Sequence, residues 1–149
     1  MGQDLDRETR DVTFLLVDDD EINIRAITRT IKKLRILNRT ICARDGIEAI
    51  DILLSEVEAN DGRLPPIIVL LDLNMPRMGG IEFLETVRAD SRLSKVVVIV
   101  FSSSDVPADI QSAYKQHVAG YIVKESPSES FTRALEMLGC YSRIIELPE

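Results

Sequence analysis

Residues 14–21 read FLLVDDDE. Four apolar residues, Phe14 to Val17, run directly into Asp18, Asp19, Asp20 and Glu21. Ending a buried strand by crowding carboxylates together is unfavourable unless a cation sits there or the side chains point apart. The answer depends on which other parts of the chain reach the same place.

Outward from this stretch, five short apolar runs alternate with amphipathic segments. Val12 to Val17 is the first run, and Ile24, Ile27, Ile31 and Leu34 follow it at helical spacing. Thr40 to Ala43 is a weaker strand, leading into Ile47, Ile50, Leu53, Leu54 and Val57 as one helical face. EANDGRLPP, residues 58–66, is polar with one glycine and two prolines and reads as a loop. Ile67 to Leu71 is the most hydrophobic strand and ends at Asp72. After a Pro-Gly-rich turn, Ile81, Leu84 and Val87 mark a helix. Val96 to Phe101 is solidly apolar and ends at Ser102. The helix expected from Pro107 to His117 has a thin apolar face of Ile110, Ala113 and Tyr114, so loose attachment is expected. Gly120 to Val123 forms a fifth strand, ended by Lys124, and Phe131, Ala134, Leu135 and Leu138 form a last amphipathic helix. This divides the chain into a polar N-terminal extension at 1–11, one domain at 12–138 and a C-terminal tail at 139–149.

Strand and helix alternating in this way predict an α/β fold. The sheet would be doubly wound, parallel and five-stranded with helices on both faces, because continuous apolar runs suit strands covered on both sides. Such sheets bind ligands beyond the carboxyl ends of their strands, where the strand order reverses. In the flavodoxin-like order 2-1-3-4-5 the first and third strands are neighbours. Asp18, Asp19 and Asp72 then converge, and Ser102 and Lys124 arrive from the next two strands.

Clustered carboxylates, with a backbone carbonyl added, are hard oxygen ligands suited to Mg2+. A carboxylate beside such an ion can attack phosphorus and form an aspartyl phosphate, while an ammonium and a hydroxyl hold the phosphoryl oxygens. Without a cation the same cluster would repel phosphate. Asp20 reads most simply as the N-cap of the first helix, with Glu21 favourable to its dipole.

Bulk properties remove other classes. The net charge is −7 and the pI about 4.8, which argues against nucleic-acid binding. The basic run Lys32-Lys33-Leu34-Arg35 closes a helical pattern and suits a helix C-terminus. No apolar run reaches the length of a membrane span, and MGQDLDRETRD is unlike a signal peptide. Cys42 and Cys140 lie in no paired motif and read as reduced thiols of a cytoplasmic protein. His117, the lone histidine, has no companions for a metal site and reads as a helix C-terminal residue.

The pieces LLVDDDE, VLLDLNMPRMGG, VIVFSSS and GYIVK, in this order, resemble the receiver domain of two-component response regulators from about Val12 to Leu138. The resemblance implies that Asp72 is the phosphoacceptor for a phosphohistidine donor. It implies that Asp18 and Asp19 hold Mg2+, joined by the backbone carbonyl of Asn74, and that Lys124 contacts the phosphoryl group. Ser102 matches the hydroxyl residue that moves toward the phosphate, and Tyr121 the aromatic switch that turns inward with it. Such proteins are not enzymes beyond their own phosphotransfer and dephosphorylation. One departure is plain: where receivers commonly carry a proline joined by a cis bond after the lysine, this chain has Glu125. A cis bond before a non-proline residue costs about 3 kcal/mol.

A narrower resemblance rests on LPPIIVLLDLNMP, AYKQHVAGYIVKES and the tail ending in LP. These are similar to the small stand-alone receivers that partner bacterial phytochrome histidine kinases. That implies a sensor histidine kinase as partner and a homodimer through the last strand–helix region and the tail, whose apolar Ile144, Ile145 and Leu147 would be buried either there or back against their own domain. About a dozen residues follow Leu138, too few for an output domain. The expected output is protein contact or a phosphorelay.

Three alternatives stand beside this reading. A haloacid-dehalogenase-type phosphatase also carries a DxD after its first strand, but it needs an acidic motif after the lysine, and ESPSESFTRALEML has no Asp. A flavin-binding domain of this topology needs a phosphate loop where four acids stand here. A phosphorylation-independent receiver acting as an interaction module keeps the fold without the chemistry.

Overall fold

The computed structural model describes residues 12–124, 133, 135–140 and 147. The N-terminal extension, Glu125, Phe131, Ala134, Ile144 and Ile145 lie outside the described residues.

The elements follow the alternation in order. They are β1 (Thr13–Val17), α1 (Glu21–Lys33), β2 (Thr40–Ala43), α2 (Gly46–Glu58), β3 (Ile67–Leu71), α3 (Gly80–Ala89), β4 (Val97–Ser102), α4 (Pro107–Lys115) and β5 (Gly120–Val123). Residues 135–140 are helical again. The five strands form one sheet in the order β2-β1-β3-β4-β5, and every pairing is parallel.

Side chains alternate across a strand, so each strand feeds two cores. Leu15, Val17, Val69, Leu71, Val98 and Val100 pack with Leu53 and Val57 of α2, Phe83 of α3 and Ala113 of α4. Phe14, Leu16, Ile68, Leu70, Ile99 and Phe101 pack on the opposite face with Ile27 and Ile31 of α1 and with Leu135 and Leu138. This two-sided cover is why the strands read as unbroken apolar runs. Leu147 packs against the second core of its own domain.

Local details depart from the sequence reading in three places. Ile47 is 41% exposed, and the buried stripe of α2 runs Ala49, Leu53, Val57 instead. Ser102 is the last residue of β4 rather than the first beyond it. The helix α4 stops at Lys115, and exposed His117 takes a left-handed φ of 59° in the turn that follows. The face of α4 is thinner than expected: Ala113 is its one buried residue, Ile110 is half-buried, and Tyr114 is exposed rather than part of the face.

What anchors the far end of α4 is Arg88. Its Nε donates to the Gln116 carbonyl at 2.7 Å, Nη1 to Ser94 and Val96 at 2.9 and 2.6 Å, and Nη2 to His117 at 3.1 Å. One planar fork therefore joins the end of α3, the turn into β4 and the turn after α4. Arg88→Ala is expected to cost about 2 kcal/mol in urea unfolding, because several of those carbonyls lose their partner. Arg88→Lys should recover only a small part of that loss. Full recovery by lysine would show that charge, rather than the fork, does the anchoring.

Candidate functional site

Register decides what meets at the carboxyl edge of the sheet. Val17 lies beside both Ala43 and Leu71, Leu71 beside Val100, and Val100 beside Tyr121. Asp18 and Asp72 each follow the last residue of a strand, so they stand side by side. The Asp72 N–H donates to the Val17 carbonyl at 2.9 Å, and the Asp18 N–H to that of Ala43 at 3.0 Å. Ser102 stands one residue higher and Lys124 two residues higher along their strands, and both overlook the pair.

The carboxylates of Asp18, Asp19 and Asp72 can each place one oxygen within 4.8 Å of the others. Asp18 is buried, Asp72 partly buried and Asp19 exposed. Asp18 is the most tightly held. Its Oδ1 accepts the Asp20 N–H at 2.9 Å, and its Oδ2 accepts Lys124 Nζ at 2.9 Å and Asn23 Nδ2 at 3.4 Å. Asp20 turns away and caps α1, its carboxylate accepting the Ile22 N–H at 2.9 Å. Glu21 also leaves the cluster, to pair with Arg44 at 2.9 Å. The four acids of the opening stretch thus take separate directions, and two of them remain at the site.

Burial pushes the Asp72 carboxyl up to about 6. The Lys124 ammonium and the Asn74 N–H, which donates to Asp72 Oδ1 at 3.4 Å, pull it down, while the Asp18 and Asp19 charges push it up. A carboxylate crowded by others in this way is energetically poised to take a cation. Three carboxylate oxygens form an all-oxygen donor set of the kind that suits a hard divalent ion, and the Asn74 N–H contact to Asp72 sets the loop bearing the Asn74 carbonyl beside them.

Ser102 is fully buried, and its Oγ accepts the Ser104 N–H at 3.2 Å. The Tyr121 hydroxyl donates to the Ser104 carbonyl at 2.8 Å. Ser104 in turn donates its own hydroxyl to Asp109 at 2.5 Å at the start of α4. One residue of the β4–α4 loop therefore links Ser102, Tyr121 and α4. The sequence reading missed Ser104 because three consecutive serines carry no signal that separates them. It also missed Asn23, which sits in the first turn of α1 with no motif to mark it.

Residues 14–136 match the response regulator receiver domain. The chain belongs to that family. A probable methanogenesis regulatory protein, FilR2, of Methanothrix harundinacea is 33% identical over 128 residues, which is 86% of this chain and 81% of that protein. The response regulator Rcp1 of Synechocystis is 32% identical over 111 residues, 74% of this chain and 75% of Rcp1. The Mn(2+)-bound form of Rcp1 superposes with a TM-score of 0.78 at 26% identity, covering 93% of this chain and 99% of the other. The phosphorylated cyanobacterial phytochrome response regulator RcpA superposes with a TM-score of 0.79 at 28% identity, with the same coverage. The receiver described here is thus similar at the structural level to phytochrome response regulators. Among its described residues no helix is long and apolar enough to cross a membrane.

Proposed function

We propose that this receiver takes a phosphoryl group onto Asp72 from the phosphohistidine of a sensor histidine kinase, and that the transfer depends on Mg2+. The observation that carries the reading is the convergence of Asp18, Asp19 and Asp72 within 4.8 Å, with Lys124 over Asp18 at 2.9 Å. Asp18, Asp19, Asp72 and the Asn74 carbonyl would hold the ion. Bound there, it would offset negative charge on the phosphoryl oxygens and on the acids around them.

The chain's own groups do the rest. An Asp72 oxygen attacks phosphorus in line with the departing imidazole nitrogen. The O–P bond forms as the N–P bond breaks, and the imidazole keeps the electron pair and takes a proton. Lys124, held by Asp18 before transfer, swings its ammonium to a phosphoryl oxygen. The Ser102 hydroxyl releases the Ser104 N–H and turns to another. Because Ser104 also carries the Tyr121 hydroxyl and the bond to Asp109, that turn biases the loop and the start of α4 between two arrangements. The output is a changed protein-interaction surface, and the chain's catalysis is confined to its own phosphorylation and dephosphorylation.

The likeness to RcpA, a phytochrome response regulator, supports a kinase of the phytochrome class as partner. The test of the chemistry is intact mass after incubation with a small acyl phosphate and Mg2+. One added phosphoryl group is expected in the wild type and none in Asp72→Asn or with metal removed. A wild-type protein that neither gains mass nor binds Mg2+ would instead be an interaction module that keeps its acids.

A further inference from the structure

The loop between β3 and α3 carries the Asn74 carbonyl, and it is held at both ends. At the near end the Gly80 N–H donates to the Leu73 carbonyl at 3.0 Å. At the far end the Gly46 N–H donates to the Met78 carbonyl at 3.1 Å, and a Cβ on Gly46 would lie 2.6 Å from Met78 Cγ. Beside that contact Arg77 reaches to Asp45, the N-cap of α2. Its Nε meets Oδ2 at 2.8 Å and its Nη2 meets Oδ1 at 3.2 Å. The same Oδ1 accepts the Glu48 N–H at 2.9 Å, and Asp45 is 7% exposed.

Arg77 pays for this geometry with a left-handed φ of 63°. For a residue with a Cβ that conformation costs roughly 1–2 kcal/mol. A two-point contact to a buried, already oriented carboxylate offsets it, and it fixes direction as well as distance. Between the two ends only Asn74, Met75 and Pro76 are left to form the arc.

We propose that the Arg77–Asp45 pair is a positioning device: it ties the β3–α3 loop to the start of α2 so that the Asn74 carbonyl stays aimed at the carboxylate cluster. The inference rests on the metal reading given above. Neither side chain touches the ion or the phosphoryl group. Partners one step removed from a metal typically alter its affinity by roughly tenfold or more when lost.

Arg77→Ala separates positioning from simple electrostatics, because the two predict opposite signs. Removing a cation near three carboxylates should by charge alone tighten Mg2+ binding. Loss of the clamp should weaken it by roughly tenfold. Alanine keeps the Cβ and hence the backbone penalty, so the variant isolates the guanidinium. Mg2+ affinity would be measured by titration calorimetry on the wild type, Arg77→Ala, Arg77→Lys and Asp45→Asn. Amide hydrogen exchange of residues 73–79 would be followed in the metal-free proteins.

The expected result is weaker Mg2+ binding in Arg77→Ala together with faster loop exchange and a modestly lower melting temperature, since the left-handed backbone is kept without the contact that offsets it, and smaller changes of each kind in Arg77→Lys and Asp45→Asn. Affinity in Arg77→Ala that is unchanged or tighter than wild type overturns the inference while leaving the metal site intact. Weaker binding without faster loop exchange also overturns it. A wild type that binds no Mg2+ overturns the metal reading and this one together, a result none of the variants could produce.

Discussion

Asp72→Asn is expected to unfold at higher urea than the wild type at pH 8 in the absence of divalent metal, with the advantage shrinking as pH falls through about 6. The Asp72 carboxyl is raised to about 6 in the folded protein from an ordinary value of 3.8, mainly by burial, with the Asp18 and Asp19 charges acting the same way. The folded state therefore holds the proton more tightly than the unfolded chain. Stability tied to this group is fully present below pH 3.8 and is lost as pH rises through about 6. The full shift would be worth about 3 kcal/mol, and solvent screening at a partly exposed group reduces this to about 1–2 kcal/mol. Asparagine has nearly the same shape without the charge, so it recovers that amount at pH 8 and little near pH 4. Added Mg2+ should reverse the order, because the wild type then gains binding energy that the variant forfeits. An Asn variant no more stable than wild type at pH 8 would mean that Asp72 is not under the electrostatic stress the fold imposes.

Gly80→Ala is the second large effect. An added Cβ would lie 2.7 Å from the Asp72 carbonyl oxygen, 2.7 Å from Leu73 Cα and 2.8 Å from Leu73 Cδ2. Two of those three atoms are backbone, so relief requires moving either the first turn of α3 or the strand end that bears Asp72. Overpacking of this kind costs about 2–3 kcal/mol, and here it should also shift the phosphoacceptor relative to Asp18. The neighbouring Gly79 is the internal control. Its φ is −73°, and an added Cβ would meet nothing closer than the Leu73 carbonyl at 3.4 Å. Gly79→Ala should be neutral or slightly stabilising. Urea midpoints for the two variants check the contrast, and equal midpoints would contradict the close approach at Gly80.

Both effects trace to one property of the site: its parts sit on strand ends and on a loop that the core does not allow to move. That property was only partly visible in the sequence. The five apolar runs and the helical spacings between them determined the α/β alternation, because burial on both faces of a sheet leaves a periodic record in side-chain type. The acids after β1 and β3, the hydroxyl at the end of β4 and the lysine after β5 were legible for the same reason. Strand ends can be counted, and a parallel sheet puts them at one edge.

What the sequence left open is direction and partnership. The sequence already set Asp20 apart as the N-cap of α1, which its bond to the Ile22 N–H bears out, but the pairing of Glu21 with Arg44 exists only in the folded chain. Lys124 could be placed at the edge, but its resting partner, Asp18 at 2.9 Å, is decided only by the folded side-chain geometry. Ser104, Asn23 and the Arg77–Asp45 pair had no pattern to reveal them, since each acts through a contact between segments distant in sequence or through a backbone group. Periodicity records which side chains leave water. Hydrogen-bond geometry at the edge depends on register, loop conformation and left-handed turns, and those exist only once the chain is folded.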